Sequence, residues 1–173
     1  IRWLTTLQQL TQQTLKQPSV SSVWIARARH LADGSEFNAA VNDYARALTL
    51  NSADHEALAG RAEVWLKMGE AGKAIADCDE SLIAEATSAA FSVRGDAWFA
   101  LKNYDQAIED FEAARRFDEN VAEAYRRRGE LRRTEGNSEM ADADLRKAKS
   151  ITAALNGETR PAKTDSTQLP FPE

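Results

Sequence analysis

Proline is confined to the ends of this chain, at Pro18, Pro161, Pro170 and Pro172, so residues 19 to 160 contain none. Ala, Leu, Glu, Arg and Asp dominate that stretch, and runs of β-branched residues are missing. A proline inside a helix removes a backbone donor and clashes with the preceding turn, so its absence predicts helix almost throughout. A helical stretch of this length has to fold back on itself, and a recurrence in the sequence marks where. Arg27-Ala28, Arg61-Ala62, Arg94-Gly95 and Arg128-Gly129 follow one another at intervals of 34, 33 and 34 residues. A second line, Ala40, Ala74, Ala107 and Ala141, lags the first by 12. A period near 34 with room for two helices predicts a solenoid of helical hairpins, each burying its apolar face on the next.

Units can be counted from Ser21, His55, Ser88 and Ala122. The fourth place then holds Trp24, Leu58, Phe91 and Tyr125, and the eighth is always small. The eleventh is Leu31, Trp65, Trp98 and Arg132, and the twentieth is alanine every time. The twenty-fourth is Tyr44, Cys78, Phe111 and Leu145, and the twenty-seventh is Ala47, Ser81, Ala114 and Ala148. This pattern resembles the tetratricopeptide repeat, and residues 97 to 108 lie close to that family's consensus. The resemblance implies an all-α, right-handed α-α superhelix of four hairpins, at 21–54, 55–87, 88–121 and 122–155. It also implies a protein that holds another protein or peptide in a concave groove, without a cofactor.

The physical reading agrees. Small residues at the eighth and twentieth places let the two helices of a hairpin approach closely, and larger ones would overpack by about 1–3 kcal/mol. Turns are expected at Asp33-Gly34, Met68-Gly69, Lys102-Asn103 and Glu135-Gly136-Asn137, where Gly or Asn can take the left-handed conformation that ends a helix. One departure from the family's usual leucine repeats four times. The seventh place is Arg27, Arg61, Arg94 and Arg128, and the twenty-third is Asp43, Asp77, Asp110 and Asp144. An orienting ion pair within each hairpin is the expectation, worth about 0–1 kcal/mol if exposed and more if bidentate.

The flanks read differently. Residues 1–18 form a further helix, with Trp3, Leu7 and Leu10 at apolar positions, and are read as a capping helix in preference to half of a degenerate repeat. The tail, residues 158–173, is polar with three prolines and is expected to be extended. Its Leu169-Pro170-Phe171-Pro172 offers a route to self-association in a neighbour's groove. The chain begins with Ile1 and reads as a piece of a longer protein or a processed one.

Several functions are disfavoured. The net charge of −5 and the lack of interleaved aromatic stacking residues argue against nucleic acid. No apolar run is long enough to insert in a membrane. The single Cys78 leaves the compartment open, with a soluble cytoplasmic chain the expectation. His30 and His55 lack metal-ligand spacing, and no nucleophile elbow or phosphate loop is present, so no metal site and no enzyme are expected.

By family geometry, the concave face comes from the first helix of each hairpin. The groove residues expected to meet a partner are Arg29, then Ala59, Glu63 and Leu66, then Ser92, Asp96 and Phe99, and finally Arg126, Glu130 and Arg133. Ile25 falls at another concave place. The lysine, asparagine and arginine positions of the family's chaperone clamp are not matched. Arg126 to Arg128 with Arg132 and Arg133 suggest an acidic ligand segment at the fourth unit, set against a solvated helix face neutralised by Glu123 and Glu130. The alternatives are a regulatory or targeting module of a larger enzyme and a self-assembling structural unit.

Overall fold

The structure, a computed structural model, describes residues 2–157; the tail and its Leu169–Pro172 motif lie outside the described residues. Among these, every element is an α-helix. They are α1 (Arg2–Lys16), α2 (Ser21–Asp33), α3 (Phe37–Leu50), α4 (His55–Lys67), α5 (Ala71–Ala84), α6 (Ser88–Ala100), α7 (Tyr104–Ala113), α8 (Glu119–Thr134) and α9 (Ser138–Leu155). Consecutive helices pack as pairs, α2 on α3, α4 on α5, α6 on α7 and α8 on α9, and each pair rests on the next. Three apolar clusters run through the stack and are shared across the joints. Phe111 of α7, for example, packs in one cluster with Ala124 and Tyr125 of α8.

The small residues lie at the crossings. Ala28, Ala62, Ala40, Ala74, Ala107 and Ala141 are fully buried. A Cβ added at Gly95 would stand 2.6 Å from the Phe111 ring, and one at Gly129 3.1 Å from the Ala141 carbonyl oxygen. The glycines therefore serve close approach.

The paired arginines and aspartates meet as the spacing predicts, with one geometry throughout. Arg27 Nε and Nη2 donate to Asp43 at 2.6 Å each. Arg61 does so to Asp77 at 2.7 Å, Arg94 to Asp110 at 2.8 and 2.7 Å, and Arg128 to Asp144 at 2.9 and 2.8 Å. All four aspartates are buried. The guanidinium also lies over the ring at the fourth place, 5.0 Å from Trp24, 5.6 Å from Phe91 and 5.3 Å from Tyr125. All four pairs are bidentate on a buried carboxylate, and all but that of Arg61, which has Leu58 at the fourth place, are also ring-capped. Breaking one by removing a single partner costs far more than a surface pair, about 3–5 kcal/mol.

The turns correct the sequence reading in two places. In each pair the first helix closes with one residue in the left-handed region, and those residues are Ser35 (φ 64), Gly69 (φ 81), Lys102 (φ 62) and Gly136 (φ 86). Gly34 (φ −84) and Asn103 (φ −87) stay out of it. Gly34 is needed for a different reason: the Trp3 ring occupies the space a Cβ would fill. That contact seats α1. Trp3 Nε1 donates to the His30 carbonyl at 3.2 Å, His30 Nε2 donates back to the Trp3 carbonyl at 2.9 Å, and the two rings stack at 5.1 Å.

The third pair departs from the others. By register α7 should end near Phe117, yet it has 10 residues against 14 in α3 and α5. Arg115 turns left-handed (φ 53), and the Arg116 N–H bonds the Phe111 carbonyl at 2.9 Å, which closes the helix early. The Asp118 carboxylate then accepts from the Val121 N–H at 3.2 Å and starts α8 at Glu119, a turn ahead of register.

Candidate functional site

An open cavity of about 460 Å³ lies against the first helices, between α2, α4 and the start of α6. Its floor is made of small residues, Ala32, Ala59, Gly60, Ala89 and Val93, which leave space that longer side chains would fill. Gly60 is required there, because its Cβ would fall 2.6 Å from the Tyr44 hydroxyl. Tyr44 comes from α3 and passes beneath α4, so its polar end reaches the cavity while its ring stays in the core. Burial, and secondarily the carboxylates of Glu63 and Asp33 against the opposing pull of Arg29, pushes the phenol up to about 12. It stays a neutral hydrogen-bonding group at physiological pH.

Charged side chains rim the cavity. Arg29 pairs with Glu56 across α2 and α4, and Lys67 stands 3.9 Å from Glu63 on the same helix. Asp33 is exposed and has no cation within ion-pair distance among the described residues. His55, also on the lining, pairs with Glu85 at 3.0 Å.

The sequence-derived groove residues do not share one surface. Arg29, Ala59 and Glu63 line the cavity together. Leu66 packs partly buried against the α4–α5 core cluster. Phe99 packs on the α6–α9 cluster and meets Tyr104 edge-on at 5.7 Å. Ile25 is a core residue at 4% exposure and not a groove residue, because its face of α2 meets the cluster around Tyr44 and Ala57.

Ser92 and Asp96 stand on α6, where Arg116 engages both. Its Nη1 donates to Asp96 at 2.6 Å and to the Ser92 hydroxyl at 3.2 Å, while its Nε bonds Asp118. Asn120 Nδ2 reaches the other Asp96 oxygen at 3.2 Å. The guanidinium lies 4.8 Å over Phe111, and only 18% of the side chain is exposed. The residue was not singled out from sequence, because its position depends on the early end of α7. The available signal was Asp118 three residues ahead of Val121, a helix-start pattern.

The arginines of α8 are all engaged internally. Arg126 and Arg127 share Glu123, Arg127 also approaches Glu130 at 3.5 Å, and Arg133 bonds Asp142 at 2.7 Å. Arg132 donates to Asp144 at 2.9 Å and to Asp105 at 3.1 Å, which makes it a second cation on the buried pair of Arg128. Cys78 is fully buried, and burial above all raises its thiol to about 12, so it is not a nucleophile. Among the described residues, no group of three or more His, Cys, Asp or Glu is placed to hold a metal ion, and no helix is long and apolar enough to cross a membrane.

Three solved structures show what this arrangement is similar to. A crystal structure of MamA matches 90% of this chain and 91% of its own at a TM-score of 0.72 and 15% identity. MamA from Desulfovibrio magneticus RS-1 gives 0.69 over 89% and 88% at 16% identity. The second TPR domain of RPAP3, bound to the HSP90 peptide SRMEEVD, gives 0.54 over 58% of this chain and 94% of its own at 24% identity. No family model and no curated protein matches the sequence. The fold is thus that of the helical-hairpin solenoids. Within that class, the four-line register and these likenesses give the chain the tetratricopeptide-repeat fold.

Proposed function

We propose that this chain is a protein-interaction scaffold whose ligand is an extended segment lying in the cavity between α2, α4 and α6. The observation that carries the reading is the small-residue floor of Ala32, Ala59, Gly60 and Ala89 in an open volume of about 460 Å³. A folded core avoids unfilled space of this kind, whereas a groove for another chain requires it. The reading takes the helix pairs as four repeats at 21–54, 55–87, 88–121 and 122–155, with α1 as a cap. The RPAP3 domain, solved with a bound peptide, supports a solenoid of this fold acting as a peptide holder.

A second reading places an acidic segment at the Arg-rich fourth repeat, along α8. Arg126, Arg127 and Arg133 favour it, each with about half of its side chain exposed. It ranks behind the first because a ligand there would have to displace Glu123 and Asp142 from their arginines. One experiment separates the two. Affinity capture with the intact chain is compared with capture by Ala59→Arg, which fills the groove, and by Arg126→Glu/Arg133→Glu. Loss of the partner with the first variant alone supports the groove, and loss with the second alone supports α8. Retention by both overturns the two readings and leaves self-assembly, or service as an appendage of a larger enzyme.

A further inference from the structure

The chemistry of the cavity bears on its ligand, given the groove reading above. Three carboxylates line it, Asp33, Glu56 and Glu63, against two cations, Arg29 and Lys67. The cations are the more fully engaged. Arg29 is held by Glu56, and Lys67 reaches only Glu63. An incoming carboxylate would meet Asp33 and Glu63 before any free cation. Of the rim charges Arg29 acts on the Tyr44 hydroxyl most strongly, and Glu63 and Asp33 oppose it, so one cation held by Glu56 and two carboxylates face the same part of the floor.

One turn further along α6 the same concave surface carries Asp96, and the chain itself shows what satisfies it. The guanidinium of Arg116 docks there, its charge against Asp96 and its face on Phe111. The concave surface therefore already holds one basic side chain, supplied in cis. Beside α2 and α4 the acceptors are less filled: Asp33 has no ion-pair partner among the described residues, and Glu63 is met only by Lys67 at 3.9 Å.

We propose that the groove binds a basic segment. An arginine or lysine of the partner is received between Asp33 and Glu63, and small or apolar neighbouring residues lie on Ala59, Gly60 and Ala89. The recognition is by charge-assisted hydrogen bonds to carboxylates, with the Tyr44 hydroxyl as a further polar contact. A segment rich in aspartate or glutamate is excluded by the same charges.

The test uses two fluorescein-labelled nonapeptides of alanine, serine and leucine. One carries two arginines, and the other carries two glutamates at the same positions. Fluorescence anisotropy is followed with the intact chain, with Asp33→Asn/Glu63→Gln and with Ala59→Arg, circular dichroism confirming that each is folded. The arginine probe is expected to bind the intact chain at least about tenfold more tightly than the glutamate probe, the scale of one charge-assisted contact. The double variant should lose about tenfold for the arginine probe, and added salt should weaken that binding. Equal affinities, tighter binding of the glutamate probe, no binding of either, or no loss in the double variant would each overturn the basic-ligand proposal. The groove reading stands apart from this outcome, since capture by Ala59→Arg judges it whatever the ligand's charge.

Discussion

The seam inside each helix pair and the concave face outside it are built from the same helices under opposite rules. At the seam the same atoms recur four times: a small residue against an alanine, and a bidentate guanidinium on a buried carboxylate. On the concave face each unit differs. The first two and the start of the third line an open floor, Arg116 occupies Asp96 further along the third, and the arginines of the fourth are held in their own ion pairs. Repetition marks what the fold needs, and on the proposed function variation marks where one partner would be told apart from others. Substitutions of similar chemistry should therefore have unequal effects in the two regions.

The largest effect is expected at the seam. Arg94→Ala leaves Asp110 buried without its main partner and also frees Asp79, and should cost about 3 kcal/mol or more in chemical denaturation. On the concave face, Arg116→Ser removes four hydrogen bonds against the three of Arg94. Its main partner Asp96 is partly solvated, however, and the loss should be about 1 kcal/mol. Equal losses would break the comparison.

Next in size is a packing test of the same seam. Gly95→Ala puts a methyl 2.6 Å from the Phe111 ring, which has to tilt within a closed cluster. A loss of about 1–2 kcal/mol is expected in the same denaturation series, in spite of alanine's better helix propensity. Alanine at Gly72, where nothing stands within 4 Å of a Cβ, should instead stabilise by a few tenths to about 1 kcal/mol.

This contrast follows what the sequence itself revealed. The seam was legible because it repeats: Arg27 and Asp43 keep a separation of 16 in every unit, so a chance pattern is eliminated by the other three. The floor residue Ala59 and the rim residues Arg29 and Glu63 were legible through their register. Leu66 and Phe99 have the right register and are partly buried against the core clusters, because a long apolar side chain reaches past its own face; Phe99 still lines an open cavity with Glu123 and Arg127. Arg116 was illegible for a stronger reason. Phe-Glu-Ala-Ala-Arg-Arg-Phe (residues 111–117) is a good helical sequence, and only the competing cap at Asp118 and the acceptors on α6 make it end early. Local propensity was overridden by a tertiary contact.

That override gives a third prediction, smaller than the first two. Arg115 carries a Cβ in the left-handed region, which costs a non-glycine residue about 1 kcal/mol. Arg115→Gly should remove this strain and raise stability by up to about 1 kcal/mol, in a thermal melt followed by circular dichroism. If stability falls instead, Arg115 itself holds the turn, and the insertion of Arg116 depends on more than the early helix end.

The smallest effect concerns the fourth unit and its pH dependence. Burial alone would raise the Glu123 carboxyl, but the hydrogen bonds from Arg126 and Arg127 outweigh it and hold the group below its ordinary value. A carboxyl lowered in the folded state stabilises the fold at all pH values above its unfolded range, near pH 4.3. That contribution is lost as the pH falls through the lower, folded value. Glu123→Gln lacks it altogether. The melting temperature of the intact chain should therefore exceed that of the variant above about pH 5, and the two curves should converge below about pH 3. The gap should also narrow with salt, since the pair sits on the surface. A gap that persists unchanged into acid would mean that Glu123 acts through packing. The α8 arginines would then be freer to take an external carboxylate than their ion pairs imply.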